Sequence, residues 1–68
     1  MGFIRQQEER LALRLLAWQY QRMNLPLPHT DEMVRLAAKL VDDAHRIAAR
    51  RGRNVIAIIR ELVDDINK

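Results

Sequence analysis

The chain predicts an all-α protein, a small three-helix unit in which a long first helix packs over a hairpin formed by the other two. Three observations carry this. Ala, Leu, Ile, Val, Arg and Glu dominate while Gly and Pro contribute two residues each, a mixture that favours helix. Apolar residues recur at three- and four-residue spacing in three stretches. Those stretches are separated by two breaks, Asn24-Leu25-Pro26-Leu27-Pro28-His29 and Gly52-Arg53-Asn54.

The first helix is expected over about residues 3–23. Ile4, Leu11, Leu15 and Trp18 form its stripe. Ala12, Leu16 and Met23 lie beside them, and Leu13, Ala17 and Tyr20 widen the apolar arc. Arg10, Arg14 and Gln21 mark the wet side. A surface helix ordinarily shows an apolar arc of a little over ~100°. This arc is wider, so the helix needs neighbours on more than one side. The two prolines of the linker, residues 24–29, stop the helix, and Leu25 and Leu27 are expected to tuck onto the bundle.

The second helix is expected over about residues 31–51, with Thr30 as its N-cap and Asp31 and Glu32 complementing the dipole. Met33, Leu36, Ala37, Leu40, Val41, Ala44, Ile47 and Ala48 form the buried stripe, and Arg35, Lys39, Asp42 and Arg46 face water. Asp42 with Arg46, and Lys39 with Asp43, stand at ion-pair spacing. Gly52 is a natural left-handed stop. The third helix, about residues 55–67, is capped by Asn54. Its stripe is Val55, Ile58, Ile59, Leu62 and Ile66, flanked by Ile56 and Val63. Leu40-Val41-Asp42-Asp43 recurs as Leu62-Val63-Asp64-Asp65, which chance agreement of two amphipathic helices explains better than duplication.

At 68 residues the chain forms one domain, 1–68, near the lower limit for a self-sufficient core. The first helix is longer than the third, so part of its apolar surface is expected to find its cover in a second copy. A homodimeric helical bundle is the simplest closed solution. The candidate interface is Ile4, Leu11, Leu15, Trp18 and Tyr20. Trp18, Tyr20 and Met23 also suit a hot spot for another protein. The leading functional expectation is therefore a non-catalytic interaction or dimerisation module with an accessory or regulatory role.

Net charge is +3, and residues 46–53 alone contribute four arginines and no acid. Arg46, Arg50, Arg51 and Arg53 are the candidate phosphate contacts of an alternative reading, a small nucleic-acid-binding protein. A cationic helix end explains them better. The candidate recognition helix opens with Val55-Ile56-Ala57, poor readers of base edges, so generic phosphate binding is the stronger form.

Catalysis is not expected. The chain has no cysteine and no serine, its only hydroxyls are Tyr20 and Thr30, and two glycines make no phosphate-cradling loop. A chain this small also leaves little volume for a pocket of ~300 Å³. His29, Asp31, Glu32, Asp42, Asp43 and His45 supply metal-ligand chemistry but no repeated pair that completes a site. No metal or cofactor is expected. The absence of cysteine, of a ~20-residue apolar run and of a signal-peptide stretch leads to the expectation of a cytoplasmic, bacterial-type protein. The first helix has a polar face of mixed charge, which does not suit a membrane surface.

Overall fold

The computed structural model describes residues 2–66, with the side chain of Ile66 outside the described part, as are Met1, Asn67 and Lys68. Three helices occur in the order α1 (Phe3–Arg22), α2 (Thr30–Arg51) and α3 (Val55–Ile66), with no strand among the described residues. Each helix touches the other two, and the Cα envelope measures 34 × 27 × 13 Å. The molecule is therefore a flattened slab, about a third as thick as it is long.

Two left-handed residues end the long helices. Asn24 has φ 58°, and beyond it Leu25 N–H donates to Tyr20 C=O at 3.0 Å. This back-turned bond satisfies a carbonyl that the ended helix leaves open. The stop on α1 is thus made by Asn24 before the prolines are reached. Gly52 ends α2 with φ 65° and ψ 37°, and the N–H groups of Gly52 and Arg53 both donate to Ala48 C=O. The turn to α3 is closed by Asn54, whose side-chain Oδ1 accepts from Ile56 N–H at 2.7 Å.

The start of α2 corrects the expected cap. His29 is the N-cap: its carbonyl accepts the first helical bond from Met33, and its Nδ1 accepts from Asp31 N–H at 3.3 Å. Thr30 is already inside the helix. The imidazole nitrogen reaches the first-turn donor because His29 keeps an extended ψ of 150° after Pro28. Leu25 and Leu27 do not tuck onto the bundle, and both remain about half exposed. The linker turns at Asn24 and is exposed over most of its length.

The core contains Ala12 and Leu16 from α1, Met33, Ala37, Val41, Ala44 and Ala48 from α2, and Ile58, Ile59 and Val63 from α3. Four of these ten are alanines, so the helices approach closely and bury little area per residue. Leu36, expected in the α2 stripe, is exposed, while Leu40 and Ile47 are half-buried at its margins. In α3 Val63 is fully buried, and Val55 and Leu62 are half-buried. The repeated Leu-Val-Asp-Asp segments share one phase: Val41 and Val63 are interior, and Leu40 and Leu62 flank them.

Ion pairs lock α1 to α2. Arg5 donates to Glu9 at 2.7 Å within its own helix, to Asp42 at 2.8 Å across the interface, and to Ala38 C=O at 3.3 Å. Asp42 is therefore spent on Arg5, and Arg46 pairs with Asp43 at 2.6 Å instead of with Asp42. The expected Lys39–Asp43 pair is present at 4.0 Å. Sequence spacing finds partners within one helix but is blind to a competitor from another.

Candidate interaction surface

The buried line of α1 is Ala12, Leu16 and Gln19, spaced four and three residues apart. The stripe Ile4, Leu11, Leu15 and Trp18 lies roughly 100° round the same helix, at 3.6 residues per turn. That stripe is the edge of α1 that faces α3. Its upper half forms a shallow groove with Ile56, lined by Ile4, Gln7, Glu8, Arg10, Leu11 and Arg14. Its lower half continues between Leu15 and Trp18 on α1 and Arg60, Val63 and Asp64 on α3. Leu11 and Leu15 are half-buried, whereas Ile4 is 71% exposed and Trp18 49% exposed.

At about 1.5 Å per residue, α1 spans ~30 Å and α3 ~18 Å. Helix α3 runs beside the stripe from Ile56, near Ile4 and Leu11, to Val63 and Asp64, near Trp18. Trp18 is partly shielded by Arg22, whose guanidinium carbon stands 4.9 Å from the ring centroid. An exposed cation–π contact of this kind contributes ~0.5–1 kcal/mol.

Tyr20 separates from the other four expected interface residues. It lines a different groove, between α1 and α2, with Leu16, Leu36, Lys39, Leu40 and Asp43. The five residues therefore divide into a continuous strip of four and one residue on the neighbouring edge.

The arginine-rich turn does not present four open guanidinium groups. Arg53 and Arg51 converge on Glu61 of α3, at 2.9 and 3.7 Å, and Arg46 is held by Asp43. Arg50 alone of the four has no ion pair among the described residues. Glu61 lies eight residues beyond Arg53, and only the turn of the hairpin brings it back.

The histidines also part. His29 caps α2, while the Nε2 of His45 lies 2.7 Å from Glu8 Oε1, across the α1–α2 interface. With Ile4 and Arg5 this pair lines an open cleft. No group of three His, Cys, Asp or Glu residues able to hold a metal occurs among the described residues. Two surface clefts have volumes of about 510 and 570 Å³, but both are open to solvent and neither is a water-excluding pocket.

Sequence reasoning missed three participants. Gln19 is buried to 1% exposure, with neither Oε1 nor Nε2 hydrogen-bonded, in a position that an apolar residue would suit. The Arg5–Asp42 and Glu8–His45 links join residues 37 apart in sequence, and no local pattern signals them. The α3 side of the groove was legible in part, since Ile56, Arg60 and Asp64 recur at four-residue spacing along one face.

No helix among the described residues is long and apolar enough to cross a membrane. Comparison with models of protein families, with curated proteins and with solved structures finds no match.

Proposed function

We propose that this chain is a non-catalytic protein-interaction module that works by burying the α1–α3 groove against a partner protein. One observation carries the reading. Ile4, Leu11, Leu15 and Trp18 form a continuous apolar strip along α1 beside α3, yet its two end residues, Ile4 and Trp18, stay largely exposed. A strip of this kind rimmed by polar groups is what docking surfaces look like. The homodimer expected from the sequence is one form of this reading, in which a second copy supplies the cover.

The alternative, phosphate binding through Arg46, Arg50, Arg51 and Arg53, gains no support from the local geometry. Phosphate would have to displace Asp43 from one of these arginines and Glu61 from two others before binding.

A photo-crosslinking residue placed at position 18, in cells that make the protein, tests the proposal. The same residue at position 35, exposed on α2 and outside the groove, serves as control. A protein adduct is expected from position 18 and none from position 35. An adduct of twice the chain mass would identify a second copy, and any other mass a different protein. Absence of an adduct at position 18 would remove the reading.

A further inference from the structure

The rim of the α1–α3 groove is cationic. Arg10 and Arg14 stand on the α1 side of its upper half, Arg60 on the α3 side of its lower half, and Arg22 over Trp18 at its end. None of these four arginines has an ion-pair partner among the described residues. Elsewhere Arg5, Lys39, Arg46, Arg51 and Arg53 are matched to carboxylates, while Arg35 and Arg50 on α2 also have no ion pair among the described residues. The acids at the groove are Glu8, which is engaged by His45, and Asp64. Four of the six arginines without an ion pair among the described residues thus stand round the open apolar strip.

From this juxtaposition we propose that the groove receives an acidic amphipathic helix of another protein. Its apolar face would lie on Leu11, Leu15, Ile56 and Trp18, and its carboxylates on Arg10, Arg14, Arg22 and Arg60. The inference rests on the interaction reading above and identifies the chemistry of the partner. The strip from Ile4 to Trp18 is ~21 Å long at about 1.5 Å per residue, which matches roughly four turns of a docked helix. Helix-in-groove recognition uses apolar anchors at such spacing, and charge on the flanks selects the partner.

Charge also discriminates against a second copy. A two-fold contact through this face sets identical rims against each other. It doubles the excess of guanidinium groups and offers only Asp64 from each copy in return. An acidic helix neutralises the same groups. Nucleic acid would satisfy the arginines but would leave the aliphatic floor uncovered.

The test uses Trp18, the only tryptophan of the chain, as a fluorescence reporter. Three synthetic probes of about 16 residues are titrated in. One is a helix with leucines at three- and four-residue spacing and glutamates on both flanks. The second replaces every glutamate by lysine, and the third is a scramble of the first. The glutamate probe is expected to shift Trp18 emission to the blue and to bind at least ~10-fold more tightly than the lysine probe. The double variant Arg10→Glu, Arg14→Glu changes only exposed side chains and should keep its helical circular dichroism. It is expected to reverse the preference between the two charged probes.

Equal binding of the glutamate and lysine probes would overturn the proposal but leave an apolar docking face intact. Binding of neither probe, with the chain sedimenting as a dimer that shields Trp18, would overturn it in favour of a second copy. Binding of neither by a monomer would overturn it, and the crosslinking result at position 18 then decides the interaction reading separately. Tighter binding of a single-stranded oligonucleotide than of the glutamate probe, lost in the double variant, would overturn it in favour of nucleic acid.

Discussion

Gln19 shows what a single residue contributes against its own chemistry. Its amide is buried and unbonded on the same line of α1 as Ala12 and Leu16. A buried polar group left without a partner costs about 1–3 kcal/mol. Gln19→Met preserves volume and removes that penalty, so it is expected to raise stability by ~1–3 kcal/mol, read as a higher midpoint in urea. A loss of stability would mean that the amide makes a contact in solution that offsets its desolvation. Gly52 makes the opposite case. A Cβ added there meets nothing within 4 Å, yet φ is 65°. Gly52→Ala should therefore cost ~1–2 kcal/mol from backbone conformation alone, measured by chemical denaturation.

At the scale of an element, caps and cross-helix bonds decide where each helix begins and what it packs on. Since His29 caps α2, Thr30→Ala is expected to change stability by less than ~0.5 kcal/mol, whereas His29→Asp should strengthen the cap and add up to ~1 kcal/mol. Thermal denaturation of the two variants separates this arrangement from one in which Thr30 caps. Arg5 joins α1 to α2 through Asp42 and Ala38. Its hydrogen bond to Glu9, followed by that to Asp42, raises its pKa above the ordinary arginine range. A raised pKa in the folded state means a contribution fully present below the unfolded value and lost only as pH climbs through the folded one. The link is thus intact on the arginine side throughout the neutral range. Arg5→Met should cost about 1 kcal/mol, a modest figure because the side chain is a third exposed and surface pairs are weak.

Helix existence was legible at this scale, and so were the Gly52 stop, the Asn54 cap and most of the α2 and α3 stripes, whereas the α1 stop, expected from the prolines, falls at Asn24. Those features depend on neighbours within four residues. The α1 stripe was legible as apolar but not as to its cover. Ile4-Leu11-Leu15-Trp18 and Ala12-Leu16-Gln19 are adjacent lines on one cylinder, and the second contains a polar residue. Only the position of α2 selects it as the interior.

For the whole molecule, thinness is the governing property. Among the described residues ten buried apolar side chains, four of them alanines, in a slab with a 13 Å backbone thickness make a small core. Domains of this size bury only roughly 60% of their unfolded surface and are correspondingly marginal. The alanines set the spacing between helices, so Ala44→Leu, at a fully buried position, is expected to lower stability by ~1–3 kcal/mol through overpacking. Urea denaturation measures this, and a neutral result would mean that the helices can separate at little cost. Ligand that binds only the folded chain stabilises it by mass action. Occupation of the α1–α3 groove is therefore expected to raise the urea midpoint by a similar amount in the parent chain and in destabilised variants such as Gly52→Ala.

Local pattern in the sequence determined that the chain is helical, where its three helices break, and which faces of α2 and α3 turn inward. Each of these follows from backbone sterics or from apolar spacing within one or two turns. The tertiary structure decided the rest: that Ile4 and Trp18 stay exposed beside α3, that Glu61 and Asp43 take up three of the clustered arginines, that Asp42 serves Arg5, and that Tyr20 faces a different groove from Trp18. These outcomes turn on which helix edges meet and which charges arrive first at a shared partner. Such competition between residues distant in sequence has no periodicity to announce it.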